Sequence, residues 1–323
     1  MISATPRSET TAHAVAFVAE RRARAEALGA GLSEWVNDPD AFAARLREAL
    51  TRLADPAYLA GQQRIAPGIG AVFGVRWPLL AAVQRGFRLG TKRVRPTPLL
   101  FVADRLFREP ELEMRWFAFD LIDRTLETEA ERTWQLLRRA AREASDWITV
   151  DSLAHPYGTG IAREPYRWAE LEQLVYSPSR WERRLIGSAI AAMTHAGRRS
   201  GRDPDLPGRA LSLLAMLMGD AEPDVQKALA WAYRSLARLD PDATTAALES
   251  ETAVAVAHAD GHRAWVIRDS LTKLDPSTAD ALRERLAGIR KRPGAPGTSR
   301  AFEVSARFGG LPDPAGHPEP PLT

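Results

Sequence analysis

The chain has 323 residues, of which 45% are hydrophobic and 26% charged, and it contains no cysteine. This composition is typical of a soluble globular protein with one large or two medium domains. The missing cysteines exclude disulfide scaffolds, thiol nucleophiles, iron–sulfur clusters and thiolate zinc sites. No apolar run is long enough to cross a membrane and the first residues lack a signal pattern, so we expect a cytoplasmic, nucleoid-associated protein without a membrane partner.

The helical pattern begins soon after the start of the chain. Residues 1–11 show no apolar period and are expected to be disordered. From residue 12 to 289 apolar residues recur at intervals of three and four, as at Phe42, Leu46, Leu50 and Leu53. X-Pro pairs predict helix ends, and they lie at 55–56, 97–98, 109–110, 155–156, 177–178, 222–223, 240–241 and 275–276. Because strand-like alternation is nearly absent, the sequence predicts an all-α fold.

Positive charge is concentrated in one early stretch. The 44 basic and 41 acidic residues give a net charge of +3, which indicates little by itself. Between Asp55 and Asp104, however, no acidic residue occurs. Such a run is typical either of a phosphate-facing surface or of a solvated helix end with its loop. On the first interpretation, the phosphate-binding residues are Arg85, Arg88, Lys92 and Arg93.

The helices recur as repeats. Several segments share a basic residue followed by an apolar stripe. Aligning them together with Asp151, on residues 115, 151, 183, 227 and 263, gives spacings of 36, 32, 44 and 36 residues. Two helices in a period of this length are typical of HEAT-like solenoids. We therefore predict one helical repeat domain over 12–289, an α-solenoid with a concave groove. The Pro- and Gly-rich residues 290–323 are expected to form a disordered basic tail.

Aromatic and charged residues share faces on three consecutive repeats. Trp147 and Asp151 are four residues apart, Trp181 and Arg184 three apart, and Lys227 precedes Trp231 by four. Residues at these spacings lie on the same side of a helix. Each residue alone is explained by core packing, capping or surface charge, whereas their combination favours a binding or catalytic site.

These motifs, in this order, resemble the bacterial DNA alkylation repair glycosylases of the AlkD type, which consist of HEAT-like repeats. The resemblance runs from about residue 45 to 285 and rests on segments 73–78, 113–118, 147–151, 181–184 and 226–231. It implies that Trp147, Asp151 and Trp231 form the catalytic site and that Arg184 binds the DNA backbone. It also implies excision of cationic N3- or N7-alkylated purines, such as 3-methyladenine and 7-methylguanine, from double-stranded DNA without base flipping.

The residue types suit this chemistry. A cationic alkylpurine is a good leaving group, so a carboxylate near C1′ can stabilise the oxocarbenium-like sugar and orient water. Indole faces attract cations and pack on sugar C–H groups, and an arginine can bind phosphate bidentately. On this interpretation Asp151 is the carboxylate, Trp147 and Trp231 are the walls, and the protein is a monomeric, monofunctional enzyme of base excision repair that needs no cofactor or metal.

Some features differ from related sequences or favour other functions. Asp146 stands where relatives often have a second aromatic residue, Ile148 where they often have an acid, and segment 158–167 is expected to be a long connection between repeats. His258 and His262 have a zinc-compatible spacing but lack the further residues of a metal motif. Two alternatives stay open: a non-catalytic HEAT-repeat protein that binds branched or distorted DNA, and a HEAT-type protein-interaction scaffold.

Overall fold

A computed structural model describes residues 9–66, 69–196 and 203–307. These residues form sixteen α-helices and three 3-10 helices, Leu32–Trp35, Pro165–Arg167 and Leu271–Lys273. The α-helices are α1 (Glu9–Gly31), α2 (Pro39–Leu53), α3 (Pro56–Ile65), α4 (Trp77–Gly90), α5 (Pro96–Phe107), α6 (Leu112–Thr125), α7 (Ala130–Glu143), α8 (Trp147–Arg163), α9 (Trp168–Leu174), α10 (Arg180–Ala196), α11 (Leu206–Leu217), α12 (Pro223–Leu236), α13 (Pro241–His258), α14 (Gly261–Ser270), α15 (Pro276–Arg285) and α16 (Arg300–Arg307).

The all-α prediction is confirmed. The only β-type pairing in the described ranges is a single bridge between Ala71 and Glu111. No helix in these ranges is both long and apolar enough to cross a membrane. By contacts the chain divides into two compact units, Met1–Leu136 and Leu137–Thr323. The single-domain boundary of 12–289 stays a prediction.

The first unit has an aromatic core. The rings of Phe42, Phe87 and Phe117, from α2, α4 and α6, lie with centroids 5.3 to 5.8 Å apart. Helix α1 packs closely on α4, because Gly29 and Gly86 have no side chains: a Cβ at Gly86 would lie 1.9 Å from the carbonyl oxygen of Glu26. The backbones of the two helices are therefore in direct contact.

A buried carboxylate organises the turn before α4. Glu113 is fully buried and accepts hydrogen bonds from the backbone N–H groups of Phe73, Gly74 and Val75 at 2.9 to 3.1 Å. Gly74 has φ +80°, which L side chains rarely adopt. The motif at 73–78 therefore has a structural explanation in the first unit.

In the second unit, α8, α10, α12 and α14 pack side by side in chain order. The predicted repeat residues at 151, 183, 227 and 263 each lie on one of these four helices. Close packing again depends on glycine, because a Cβ at Gly187 of α10 would lie 2.6 Å from the backbone carbonyl carbon of Ala228 in α12. These neighbouring helices carry the candidate site.

Two predicted breaks between helices are wrong. Pro156 lies inside α8, which continues to Arg163, and so His155 and much of segment 158–167 are helical. Proline removes one helical hydrogen bond, but packing against α10 supports α8 around it. In particular, Gly158 lets α8 approach Met193 and Ala189 of α10 closely.

The structure also differs from the predicted disordered tail. Between residues 290 and 307, Thr298 donates its backbone N–H to the Gly219 carbonyl at 2.8 Å and its hydroxyl to Asp260, and Ser299 and Ala301 are buried. The contacts are hydrogen bonds and single buried residues, so they leave no apolar period in the sequence. Residues 308–323 and residues 1–8 of the predicted N-terminal disorder lie outside the described residues, while α1 begins at Glu9.

Candidate functional site

The start of α8 fixes Trp147. Asp146 is the N-cap, and its carboxylate accepts hydrogen bonds from the backbone N–H of Thr149 at 2.8 Å and from its hydroxyl at 2.6 Å. Trp147 is the first residue of the helix and is 43% exposed. The acid at 146 therefore has a structural reason, since such caps stabilise helices by about 1 kcal/mol.

Asp151 lies one turn later and accepts three hydrogen bonds. Its Oδ1 accepts from Arg184 Nε at 3.0 Å and from Ser188 Oγ at 2.6 Å, and its Oδ2 accepts from Arg184 Nη2 at 2.7 Å. The Asp151 side chain is 23% exposed. Because a carboxylate has roughly four acceptor positions, one position on Oδ2 is left open by the part of the chain that the structure describes.

Arg184 connects three helices. Its side chain is 5% exposed, and beyond the pair with Asp151 its Nη1 donates to the backbone carbonyl of Asp224 at 2.7 Å. The guanidinium carbon also lies 5.9 Å from the ring centroid of Trp147. Arg184 is therefore a buried guanidinium that holds the carboxylate of Asp151, and its expected role as a ligand of the DNA backbone stays a prediction.

Trp231 lies farther along the stack. It is a partly exposed residue of α12. It lies seven positions after Asp224, the residue whose carbonyl accepts from Arg184, and so about 10 Å from Asp224 along the helix axis. Within the described ranges no hydrogen bond or ring contact joins it to Trp147 or Asp151. The structure thus brings Arg184, which was predicted to bind the DNA backbone, into contact with Asp151 and close to Trp147. Trp231, which was predicted to complete the catalytic site with Trp147 and Asp151, lies on the same helix stack, and its place in that site stays a prediction.

Two histidines accompany Asp151. His155 follows it by one turn on α8, and desolvation by the surrounding protein, together with the charge of His195, lowers the pKa of His155. Asp151 acts in the opposite direction. His195 uses its Nδ1 in a contact with the Ala191 carbonyl at 2.9 Å.

The predicted phosphate-binding residues of the first unit are of two kinds. Arg85 lies 3.5 Å from Glu26 of α1, and Arg88 pairs with Asp120 of α6 at 2.5 Å. Burial raises the pKa of Asp120 although Arg88 lies beside it. The stretch without acidic residues is thus paired with acids from other helices, and these acids partly neutralise the charges of Arg85 and Arg88. Lys92 and Arg93 are exposed in the turn after α4 and have no ion pair within the described ranges.

The zinc-compatible histidines do not form a pair on one helix. His258 ends α13 and His262 is in α14, with Ala259 between them in the left-handed conformation. The ring of His262 lies between the Gln226 side chain and the Ala295 carbonyl, each at 3.1 Å. The described residues contain no cluster of three potential metal ligands.

Sequence reasoning missed Ser188 as a partner of Asp151, and it misjudged the segment that contains Lys291. Ser188 is fully buried on α10 and gave no signal, because a serine in an apolar helix face has many ordinary roles. Lys291 fell in the expected disordered tail, although residues 286–299 are held against α14. Only the packing of α8 against α10 identifies Ser188 and Arg184 as partners of Asp151.

Comparison with known proteins assigns the chain to a family. The profile of the DNA alkylation repair enzyme family matches residues 46–274, which is more than half of the chain. The match includes Trp147, Asp151, Arg184 and Trp231. A search of curated proteins found no match. The chain therefore belongs to the DNA alkylation repair enzyme family, and its role lies in the repair of alkylated DNA.

Proposed function

We propose that this protein is a DNA glycosylase that hydrolyses the N-glycosidic bond of cationic N3- or N7-alkylated purines in double-stranded DNA. The observation that carries the proposal is the carboxylate of Asp151, partly exposed, four residues from the exposed Trp147, and fixed by Arg184 and Ser188. A fixed carboxylate beside an open indole suits a reaction in which positive charge develops on a sugar.

Each residue has a distinct role. Asp151 would stabilise the oxocarbenium-like sugar and orient the attacking water through its open Oδ2 position. The indole of Trp147 on α8 would pack on the sugar and attract the cationic lesion, and the indole of Trp231 on α12 would do the same. Arg184 and Ser188 are positioning residues, since they hold Asp151 and prevent it from rotating. The leaving purine is already cationic and needs no proton donor.

The exposure of Trp147 supports excision without base flipping. A flipped base is held in a snug pocket between side chains, whereas Trp147 is 43% exposed on the first turn of α8. A lesion could approach this surface while still stacked in the duplex. Lesions with larger alkyl groups would fit the same arrangement.

The test is base release from duplex DNA containing 7-methylguanine or 3-methyladenine, with Asp151→Asn and the exposed Asp242→Asn of α13 as matched charge changes. We expect Asp151→Asn to slow single-turnover release by about 100- to 1,000-fold while DNA affinity changes little, and Asp242→Asn to behave as wild type. Circular dichroism melting checks that both variants fold. Absence of release by the wild type from a panel of N3- and N7-adducts would refute the proposal.

One observation favours a second candidate, a DNA-binding protein without glycosylase activity. Arg184 compensates the charge of Asp151, which weakens the field available to a developing cation. A protein of this kind would bind distorted or alkylated duplexes with a strong salt dependence and release no base. The same assay, run beside an affinity measurement, distinguishes the two.

A further inference from the structure

Two indoles of the first unit meet at the surface where α4 and α6 lie side by side. Trp77, the first residue of α4, is 55% exposed, and its ring centroid lies 5.8 Å from that of the partly exposed Trp116 in α6. The planes of the two rings are 89° apart, so they form a right-angled corner with one wall on each helix. Tryptophans whose apolar face is open to solvent are typical of binding surfaces.

The turn before α4 holds this corner in place. Besides the buried carboxylate described above, the carbonyl of Ala71 accepts the backbone N–H of Leu112 at 3.0 Å, which ties the turn to the start of α6. Arg76, directly before Trp77, donates from its Nε to Asp55 at 2.7 Å. The exposed indole thus stands on an anchored backbone, and a ligand would find this surface already formed.

The same face of α4 continues from aromatic to cationic residues. Gln84 and Arg88 follow Trp77 by two and three helical turns and therefore lie on the same side of the helix. Gln84 donates to the Trp116 carbonyl at 3.3 Å, and the half-exposed Arg88 donates to Asp120 at 2.5 Å. Trp77 and Arg88 are about 17 Å apart along the helix axis. Further exposed cations at this end of α4 are Arg85, Lys92 and Arg93.

Trp116 and Asp120 repeat the four-residue spacing of the candidate site in the second unit. Each carboxylate also pairs with an arginine of a neighbouring helix. Asp120, however, is followed one turn later on α6 by a second arginine, Arg124, whose Nη2 donates to the hydroxyl of Thr91 at 2.9 Å. Two arginines beside one carboxylate leave a positive balance, which favours a phosphate and disfavours a cation that develops on a sugar. This arrangement suits binding and not catalysis.

We propose that Trp77 and Trp116 bind a deoxyribose of double-stranded DNA, and that the cations farther along α4 bind phosphates of the same strand. An indole offers a flat apolar face to a sugar, and arginine and lysine bind phosphates. Because phosphates of one strand advance about 3.4 Å each along a duplex, the about 17 Å from Trp77 to Arg88 spans about five nucleotides. The inference rests on the proposed function in its ligand, because it takes duplex DNA as the partner.

The test is the affinity for a labelled, undamaged duplex and for one of its single strands, measured by fluorescence anisotropy over about 50 to 200 mM salt. The variants are Trp77→Ala, Trp77→Phe, Trp116→Ala and, as a matched control, Phe101→Ala. Phe101 lies on α5 of the same unit and is 62% exposed. Melting curves check that each variant folds.

We expect Trp77→Ala to weaken duplex binding by about 5- to 10-fold, the lower end of the loss for an aromatic contact with nucleic acid. An apolar contact releases no counterions, so the slope of log affinity against log salt should stay unchanged. Trp116→Ala should show a loss of similar size. Trp77→Phe keeps an aromatic ring and should bind more tightly than Trp77→Ala, whereas Phe101→Ala should bind as the wild type does.

Three results would overturn the site: unchanged duplex affinity in Trp77→Ala, an equal loss in Phe101→Ala, or a loss confined to the single strand, which would assign the indoles to unpaired bases. Base release is measured on the same proteins. If the wild type releases no base and Trp77→Ala still shows the expected loss, the aromatic site stands and the glycosylase proposal falls. If the wild type releases base and Trp77→Ala binds the duplex as the wild type does, only the aromatic site falls.

Discussion

Arg184 binds Asp151 through two parallel hydrogen bonds, Nε to Oδ1 at 3.0 Å and Nη2 to Oδ2 at 2.7 Å. This fork fixes the plane of the carboxylate relative to α8 and α10, and the third bond of Arg184, to the Asp224 carbonyl, ties the pair to α12. A bidentate pair gives geometric specificity as well as energy. The orientation of the proposed catalytic carboxylate is therefore set by a residue of the adjacent repeat.

The variant Arg184→Lys tests this positioning. Lysine keeps the positive charge but has no planar fork, so Asp151 could rotate. We expect single-turnover base release to fall by about 100-fold, the effect of a small misplacement of a reacting group, while DNA affinity stays near the wild-type value. Arg180→Lys is the matched control, since Arg180 lies on the same helix and is 49% exposed. If DNA affinity fell as much as base release, Arg184 would act as a phosphate ligand and not as a positioning residue.

The spacing of α10 and α12 gives a second prediction. In Gly187→Ala the new Cβ would meet the backbone of Ala228 at 2.6 Å, so the helices must separate. We expect the free energy of unfolding to fall by about 1–3 kcal/mol, the usual result of overpacking, and base release to fall as Arg184 moves away from Asp224. Gly208→Ala on α11 meets no atom within 4 Å and serves as control. It should stabilise the protein by about 0.5–1 kcal/mol. Urea unfolding measures both changes, and equal behaviour of the two variants would contradict the close packing.

A third prediction concerns stability in acid. Asp55 is buried and caps α3. Burial by itself would raise the pKa of Asp55. The hydrogen bond and the charge of Arg76, together with two backbone N–H donors, outweigh burial and lower this pKa. Because the folded pKa lies below the unfolded one, the stabilisation is complete above the unfolded value, about pH 4. It is lost as the pH falls through the folded pKa.

The variant Asp55→Asn should therefore be less stable than wild type by about 1–3 kcal/mol at neutral pH, with a difference that shrinks as the pH falls below about 4. Urea unfolding between about pH 3 and 7 measures this. Asp38→Asn is the control, because Asp38 caps α2 through the backbone N–H of Ala41 and has no arginine partner in the described structure. A difference that stays constant with pH would show that the charge of Asp55 is irrelevant.

The sequence predicted those parts of the protein that depend on periodicity. Apolar spacing predicted the helices and their repeat, and the four-residue spacing of Trp147 and Asp151 correctly placed both on one face of α8. The sequence pattern did not predict the contacts between repeats. The pair of Arg184 with Asp151 and the neutralisation of Arg88 by Asp120 join residues more than thirty positions apart, and charge patterns along the chain do not show which acid will meet which base. The helix end predicted at Pro156 was wrong for a similar reason, because tertiary packing outweighs the local cost of a proline.

The packing of residues 286–299 on α14 limits where the protein can be shortened. The family profile ends at residue 274, but the partners of Arg268, His262 and Asp260 lie beyond it. A fragment cut at the family boundary would remove both carbonyl acceptors of Arg268 and one partner each of His262 and Asp260. It would also remove Lys291 from the ring of Trp265 in α14. Fragments for expression or crystallisation should therefore extend through α16, to residue 307.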